Sequence, residues 1–312
     1  VFNRVRKEAI VRFVRNIQNI IRLDNFNTFI YRFDMKKYGR ILTVQDISCV
    51  GQCSLTVALP IISACGHETV ILPSAILSTH TGGFKGWTFR DLTDDLLGIL
   101  DHWERENITF DAVYTGYLGS KRQIDIIKRI FARNLRDGGV KIVDPAMADN
   151  GALYPGFNDE YVAEMKNLVA EADITIPNIT ECCFLTDTEY KTEYDENYVK
   201  KLIEKLKTLG AKAVVVTGVK FDDHSTGVYV SDKAGNTYYY RHKLISKNSH
   251  GTGDVYASAF TGALVKGLNI NESAKLAADY TVKCIENTID DESHWYGVKF
   301  ETALGYLTKE LN

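Results

Sequence analysis

The residues best suited to chemistry lie in "HGTGD" at positions 250–254, directly before a run of small residues typical of a tightly packed helix. The backbone N–H groups of Gly251, Thr252 and Gly253 can turn toward one point, where the positive end of the helix dipole adds to them. Such a nest suits a phosphate, and Asp254 adds a base that can accept a proton from an attacking hydroxyl. The pattern indicates phosphoryl transfer to an alcohol. The alternative is a plain helix start with Asp254 as its N-cap.

A second group of polar residues lies at Asn178-x-x-Glu181. Residues three apart share one face of a first helical turn, and a Glu beside a triphosphate suits Mg²⁺ held through water. The alternative is that Thr180 and Glu181 only favour the start of a helix. Asp144, whose turn is restricted by Pro145, is a third acid that suits either a nucleotide site or an ordinary loop.

The motifs, net charge and cysteine spacing of the sequence argue against several classes of function. No GxxxxGK[ST] string is present and no GxGxxG follows a strand, which excludes the P-loop and the simplest dinucleotide fingerprints. A net charge of −3 argues against nucleic-acid binding. The six cysteines do not have the spacing of a zinc-binding site, and we interpret them as reduced thiols of a cytosolic protein. No stretch approaches the roughly 20 apolar residues of a membrane span, so we expect a soluble, cytoplasmic protein that binds no membrane.

The elements that must position these residues alternate along the chain. The hydrophobic pattern predicts strands at 40–47, 68–77, 112–117, 140–143, 174–176 and 213–217. It predicts helices at 54–64, 89–105, 124–136, 159–171, 198–209, 255–266, 270–287 and 299–310. Strands separated by helices of this length require crossover connections, which predicts an α/β fold with a mostly parallel sheet. Segments 226–231 and 237–242, joined by "DKAGN", predict a small antiparallel ribbon.

The predicted sheet brings the candidate residues together. In an open parallel sheet, ligands bind at the carboxyl ends of the strands. Asp46, Tyr117, Asp144, Asn178 and Thr217 all lie at such ends. We therefore expect them on one rim with the "HGTGD" segment.

Residues 1–34 differ from the rest of the chain. They carry seven Lys/Arg against three acids, and their apolar residues recur at helical spacing. A basic amphipathic helix could bind a membrane surface or direct the chain to an organelle. Because Met35-Lys36-Lys37 precedes the first strand as a natural start would, we interpret 1–34 as an upstream extension and 35–312 as a single domain.

Taken together, these motifs resemble the ribokinase-like superfamily, and within it the pyridoxal/pyridoxamine kinases. The resemblance also includes "ILTVQDISCVGQCSLTVALPIISACG" (41–66), "LSTHTGGFKGW" (77–87), "YTGYLGS" (114–120), "VDPAMAD" (143–149) and "ADITIPNITE" (172–181). It extends from about residue 40 to about residue 290. It implies a ribokinase-like three-layer sandwich, with a mostly parallel central sheet flanked by helices and a small antiparallel ribbon.

The resemblance implies ATP-dependent phosphorylation of the 5′-hydroxymethyl group of a B6 vitamer by a homodimer. Asp254 would be the base, and Gly251, Thr252 and Gly253 would form the anion hole for the transferring phosphoryl group. Glu181 would hold Mg²⁺ through water, and a monovalent cation is compatible with the resemblance.

The same resemblance assigns residues to the nucleotide side and to the pyridine side of the site. The residues on the nucleotide side would be Asp144, Asn178 and Thr217. The residues on the pyridine side would be Asp46, Thr81, Tyr117 and the flanking His80.

One position departs from the family. The first strand commonly carries Gln-Ser where this chain has Gln45-Asp46. An ionised Asp only accepts hydrogen bonds, which favours a protonated pyridine nitrogen, a ring hydroxyl or a related pyrimidine as its partner. A hydroxymethylpyrimidine kinase is therefore an alternative. A non-catalytic vitamer-binding protein is another, although a binder would not need the base.

Overall fold

A central sheet organises the chain, whose computed structural model describes residues 38–245 and 250–311. The strands of this part of the chain are β1 (Arg40–Val50), β2 (Glu68–Thr79), β3 (Phe89–Asp91), β4 (Phe110–Thr115), β5 (Leu135–Val143), β6 (Ala148–Asp149), β7 (Ala152–Leu153), β8 (Ile174–Thr175), β9 (Ala213–Val219), β10 (Ser225–Ser231) and β11 (Thr237–Lys243). In the described residues, nine of them form one sheet in the order β11-β10-β9-β8-β5-β4-β1-β2-β3, and β6 and β7 form a separate hairpin.

The middle of the sheet is parallel and both of its edges are antiparallel. Strands β2, β1, β4, β5, β8 and β9 pair in parallel. Strand β3 is antiparallel to β2 at one edge, and β10 and β11 form the antiparallel ribbon at the other. The mostly parallel sheet and the ribbon are thus confirmed.

Helices cover both faces of the sheet. They are α1 (Leu55–Ala64), α2 (Thr93–Arg105), α3 (Lys121–Arg133), α4 (Asp159–Ala170), α5 (Ile179–Thr186), α6 (Glu196–Leu209), α7 (Thr252–Lys266), α8 (Ile270–Glu286) and α9 (Leu304–Leu311), with a 3₁₀ turn at Phe300–Ala303. A hydrophobic core joins α2–α6 to one face, while α1, α7, α8 and α9 pack together on the other. The three-layer α/β architecture is the predicted one.

Three predicted helices are wrong in their bounds. Residues Phe89–Asp91 are a strand and not the first turn of a helix, because they pair with β2 and the Asp91 carboxylate accepts a hydrogen bond from the Thr93 N–H at 2.7 Å. The predicted helix at 124–136 ends at Arg133, and its last residues belong to β5. The predicted C-terminal helix begins as a 3₁₀ turn.

The basic segment 1–34 lies outside the described residues. No helix within residues 38–245 and 250–311 is long and apolar enough to cross a membrane.

Candidate active site

The candidate residues lie in the second halves of the parallel strands or shortly after them. Asp46 and Thr217 lie inside β1 and β9, and not at the strand ends as predicted, because both strands extend further than their apolar patterns indicate. Asp46 lies at an irregularity of β1, between Gln45 and Ile47, and its carboxylate accepts a hydrogen bond from Ser48 Oγ at 2.9 Å. Asp144 directly follows β5. Asn178 follows β8 and forms a parallel bridge with Thr217 of β9. The polar residues of four strands therefore lie along one edge of the sheet.

The start of α7 requires glycine at position 251. Gly251 is the N-cap with a left-handed φ of 76°. A Cβ there would lie 1.7 Å from the Gln52 carbonyl oxygen and 3.2 Å from Cys53 Sγ. Thr252 and Gly253 follow as the first residues of the helix, so their N–H groups lie in its first turn, where the helix itself supplies no acceptor.

Asp254 is not the N-cap of this helix, so that alternative is wrong. It lies within the first turn, and its Oδ2 accepts a hydrogen bond from the Ser54 N–H at 2.9 Å, next to the start of α1. The residue is partly exposed. Burial of its carboxyl group, followed by the charge of Asp46, raises the pKa to about 7. An acid that titrates near neutral pH suits a general base.

Four acids share this region. Burial raises the pKa of Asp46. It also raises the pKa of Asp144 well above its usual range, and the charges of Glu181 and Asp254 add to this effect. Burial raises the pKa of Glu181 to about 8. The clustered acids give the site a strongly negative potential when ionised, which a bound cation would offset.

Glu181 and Asn178 form a reciprocal capping box at the start of α5. Asn178 Oδ1 accepts a hydrogen bond from the Glu181 N–H at 2.9 Å, and Glu181 Oε2 accepts one from the Asn178 N–H at 2.8 Å. Glu181 Oε1 accepts a third from the Met147 N–H at 3.2 Å. The helix-start alternative is confirmed, and it also holds the Glu181 carboxylate rigidly.

The acids of this site fit a magnesium ion bound through water. The Glu181 carboxylate accepts hydrogen bonds from the backbone N–H groups of Asn178, Met147 and Ala148, which leaves part of its acceptor capacity for a water. Asp144 adds a nearby carboxylate. In the part of the chain that the structure describes, no group of three acidic, His or Cys side chains is placed to hold a metal directly. Mg²⁺ commonly binds through one or two carboxylates, waters and substrate phosphates, and this donor set is compatible with that arrangement.

At the other end of the site, His80 is held in one tautomer. Its Nδ1 accepts a hydrogen bond from the Gly82 N–H at 3.1 Å, so Nε2 carries the proton and donates to the Tyr296 carbonyl oxygen at 2.7 Å. Burial lowers the pKa of His80. Both nitrogens of the neutral ring are thus occupied by the protein, and His80 orders the loop that it begins.

Tyr117 lies on the same side as Asp46. Its ring is 5.5 Å from the ring of Phe157, and burial, with the charges of Asp46 and Asp91, raises its pKa to about 12. Its hydroxyl therefore stays protonated and can donate a hydrogen bond. Thr81 is exposed on the loop after β2.

Comparison with known proteins identifies the family. The model of the phosphomethylpyrimidine kinase family matches residues 87–298 of the chain. The chain belongs to this family. The family is one of kinases, which makes ATP the co-substrate, and the predicted ribokinase-like kinase fold is confirmed.

Similar proteins include two kinds of kinase. Pyridoxal kinase of Dictyostelium discoideum is 27% identical over 256 residues, which are 78% of this chain and 82% of that protein. Hydroxymethylpyrimidine/phosphomethylpyrimidine kinase of Bacillus subtilis is 32% identical over 223 residues, or 69% of this chain and 78% of that one. A Bacteroides thetaiotaomicron protein solved with pyridoxal is 35% identical with a TM-score of 0.82, over 86% of this chain and 95% of that one.

Sequence reasoning missed several residues that support the candidate site. The hairpin of β6 and β7 follows Asp144, and its turn is Asn150-Gly151, a strong hairpin signal that the sequence displays. The Ala148 carbonyl of this hairpin accepts a hydrogen bond from Asn178 Nδ2 at 2.9 Å. By contrast, no local signal indicates that the Ser54 N–H contacts Asp254, because these residues are 200 positions apart.

A separate cavity of about 320 Å³ lies between α4 and α5. Its lining includes Lys166 and Asp187, which pair with each other at 2.6 Å, and Cys183. None of the four acids described above lines it.

Proposed function

We propose that this kinase transfers the γ-phosphoryl group of ATP to the 5′-hydroxymethyl group of a B6 vitamer, namely pyridoxal, pyridoxamine or pyridoxine. The observation that carries the proposal is the pairing of a candidate base, Asp254, with a candidate ring-binding acid, Asp46, in one buried region. Ser54 lies next to both of them, because its N–H donates to Asp254 Oδ2 at 2.9 Å and its backbone pairs with Ile47, the residue after Asp46. A substrate whose ring contacts one acid can present a hydroxyl to the other.

The transfer requires few groups. The vitamer hydroxyl oxygen forms a bond to the γ-phosphorus, its proton passes to Asp254, and the bond to the ADP oxygen breaks. The N–H groups of Gly251, Thr252 and Gly253 stabilise the charge on the transferring group. Mg²⁺, held through water by Glu181, would neutralise charge on the phosphates. We assign the remaining nucleotide contacts to Asp144, Asn178 and Thr217.

The choice of a B6 vitamer as the substrate is supported by the side chains that we assign to its ring and by the similar proteins. Ionised Asp46 can accept a hydrogen bond from a protonated pyridine nitrogen or a ring hydroxyl, and Tyr117 can donate one. His80 and exposed Thr81 complete our assignment of this side. Among the similar proteins, the one from Dictyostelium discoideum is a pyridoxal kinase and the one from Bacteroides thetaiotaomicron was solved with pyridoxal.

A second candidate substrate is hydroxymethylpyrimidine. The matching family model is that of phosphomethylpyrimidine kinase, and the Bacillus subtilis relative acts on hydroxymethylpyrimidine and its phosphate according to its name. An aminopyrimidine also offers a donor to Asp46 and a hydroxymethyl group to Asp254. The chemistry of transfer would be the same.

A four-substrate assay tests the proposal. We would measure kcat/KM for pyridoxal, pyridoxamine, pyridoxine and hydroxymethylpyrimidine with ATP and Mg²⁺, and we expect a B6 vitamer to be preferred. A preference of about a hundredfold for the pyrimidine, equal to about 2.7 kcal/mol, would replace the B6 proposal with the second candidate. Vitamer binding without ATP consumption would instead indicate a non-catalytic binding protein.

A further inference from the structure

Ser54, the residue directly before α1, has a backbone conformation that serine rarely adopts. Its φ is 57° and its ψ is −133°, outside the small left-handed region that residues with a Cβ reach at positive φ. Among the residues that the structure describes, the other non-glycine residues with positive φ are Asn107, Asn150 and Asp187, which are of types that tolerate it better. A strained conformation of this kind persists only where the surrounding structure holds it.

Three elements hold the backbone of Ser54. Its N–H donates to Asp254 Oδ2 in α7 at 2.9 Å, and the residue pairs with Ile47 of β1 through an isolated antiparallel bridge. Its carbonyl oxygen accepts hydrogen bonds from the N–H groups of Val57 and Ala58 in α1, at 3.0 and 2.9 Å. The strained residue therefore lies where β1, α1 and α7 meet, beside the candidate base.

The hydroxyl of Ser54 does not cap α1. Serine is common at helix N-caps because its oxygen can accept a hydrogen bond from a first-turn N–H, but Ser54 makes no such bond. Its side chain instead hydrogen-bonds to the carboxyl group of Asp46, which is only 5% exposed. Burial raises the pKa of Asp46, whereas the hydrogen bonds with the Ser54 and Ser48 side chains lower it. A buried carboxylate needs such donors to stay ionised.

Glycine would supply the same backbone at position 54 without strain, because it has no Cβ. The hydrogen bonds of Ser54 with Asp254 and with α1 use only its main-chain atoms. What the side chain adds is the hydroxyl that contacts Asp46. This contact therefore accounts for a serine at a position whose backbone favours glycine.

We propose that Ser54 is a positioning residue that holds the ring-binding acid Asp46 through its hydroxyl and the base Asp254 through its backbone N–H. One residue with a fixed backbone then sets the distance between the two carboxyl groups, and with it the placement of the vitamer hydroxymethyl group at Asp254. The hydroxyl also keeps Asp46 ionised, so that Asp46 accepts a hydrogen bond from the vitamer ring. This role rests on the proposed function, whereas the backbone strain does not.

Replacing Ser54 with alanine tests the role of the hydroxyl. Ser54→Ala keeps the backbone N–H and removes the donor to Asp46, so we expect KM for the B6 vitamer to rise about tenfold. The contact of Asp46 with the ring is the same before and during transfer, so kcat should stay within about twofold. KM for ATP should also stay within about twofold. An unchanged KM for the vitamer would overturn the proposal.

Ser225→Ala is the matched control. Ser225 and Ser54 are both 6% exposed, and Ser225 Oγ donates to a carboxylate oxygen of Asp222 at 2.6 Å. Ser225 begins β10, and four strands lie between β10 and β1 in the sheet. The control therefore loses a buried hydroxyl that donates to an acid away from Asp46, and KM for the vitamer should not change. An equal rise of this KM in both variants would overturn the proposal.

A double-mutant cycle tests whether Ser54 acts through Asp46. In the Asp46→Ala background, Ser54→Ala should change KM for the vitamer by less than about twofold, because the acid on which the hydroxyl acts is gone. A further tenfold rise in that background would show that Ser54 acts independently of Asp46, which would overturn the positioning role.

Thermal unfolding of the nucleotide-free protein tests the strain without using activity. Ser54→Gly and Ser54→Ala both lack the hydroxyl, but only glycine adopts this backbone freely, so the Tm of Ser54→Gly should be higher by about 2 °C. In the strand position of Ser225 the order should be reversed, because glycine weakens a strand. A Tm of Ser54→Gly below that of Ser54→Ala would overturn the argument that serine is kept here for its hydroxyl. Ser54→Gly also replaces Ser54→Ala in the kinetic test if the alanine variant does not fold.

These measurements separate failure of this role from failure of the proposed function. If the wild-type chain phosphorylates none of the four substrates, the proposed function and the positioning role both fail, and the Tm values still decide whether the backbone of Ser54 is strained. If the wild type phosphorylates a B6 vitamer and Ser54→Ala leaves KM for that vitamer unchanged, only the positioning role fails.

Discussion

At the scale of single residues, Asp254 decides whether the site can do chemistry. Burial and the charge of Asp46 raise its pKa to about 7. A general base works only when it is ionised, so kcat/KM should fall below about pH 7 and level off above it. A pH profile of kcat/KM, which reports groups of the free enzyme, measures this. A flat profile between pH 5 and pH 8 would contradict the assignment of Asp254 as the base.

The substitution Asp254→Asn tests the same assignment of Asp254 as the base. It keeps the size of the side chain and removes the base, so we expect phosphate transfer to be abolished while ATP binding is largely kept. Turnover measures the first effect and equilibrium binding of ATP the second. Retained turnover would remove Asp254 from the base role, whereas loss of both properties would indicate that the start of α7 had been distorted.

Asp144 should make the nucleotide-free protein less stable as the pH rises. Burial and the charges of Glu181 and Asp254 raise its pKa well above the ordinary value of 3.8. In the unfolded chain this acid ionises above about pH 4, but in the fold it stays protonated to higher pH. Its stabilising effect is therefore fully present below the ordinary pKa and is lost as pH rises through the folded pKa.

The variant Asp144→Asn measures this effect. It cannot ionise, so its Tm should exceed that of the wild type more at pH 8 than at pH 5 in buffer without nucleotide or Mg²⁺. Asp290→Asn, at an exposed position, should give no such pH-dependent difference. An equal difference in Tm at both pH values for Asp144→Asn would show that its charge does not destabilise the fold.

At the scale of elements, α7 has a left-handed glycine at each end, and only one of them lies at the site. Gly251 has a φ of 76° and Gly267 a φ of 111°. A Cβ would lie 1.7 Å from the Gln52 carbonyl oxygen at Gly251, whereas it would meet nothing within 4 Å at Gly267. Substitutions at the two glycines therefore distinguish the effect of backbone strain from the effect of a changed anion-hole geometry.

We expect Gly251→Ala and Gly267→Ala to differ sharply. Gly267→Ala should cost about 1 kcal/mol of stability, from strain alone, with unchanged kcat. Gly251→Ala must also displace the backbone that carries the N–H groups, so kcat should fall at least about a hundredfold. Thermal unfolding and steady-state kinetics measure both variants. Similar kcat values for the two would mean that these N–H groups do not contribute to transfer.

The predicted strands and helices show where the local sequence pattern is enough to locate an element. The six parallel strands and the ribbon occur where the sequence predicts them, because each is an apolar run bounded by polar or turn residues. The helix predicted at 89–105 is wrong at its start. Phe89–Asp91 becomes a strand only because β2 offers an edge with which it can pair. The two-residue strands β6 and β7 are too short for a periodic pattern.

At the scale of the whole molecule, the extension 1–34 should not be needed for catalysis. The described sheet, the candidate site and the family match all lie after residue 37. We expect a chain that begins at Met35 to keep kcat/KM within about twofold and to unfold at nearly the same temperature, since the described core and the candidate site are formed by residues after position 37. A loss of activity or a large drop in Tm would show that 1–34 belongs to the working domain.

The sequence by itself determined the α/β class, the strand ends that carry the acids, and the glycine-rich helix start before Asp254. These features depend on periodicity and on residues that are neighbours in the chain. The helix start at Asn178–Glu181 is equally local, which is why the sequence was enough to indicate it, whereas the reciprocal capping box is seen only in the structure.

Only the tertiary structure decided how these residues are supported. It brought the Ser54 N–H to Asp254 and the Met147 N–H to Glu181. It also produced the raised pKa values, since desolvation depends on everything packed around a group. Such contacts join segments far apart in the chain, and no local pattern records which distant segment will fill a given space.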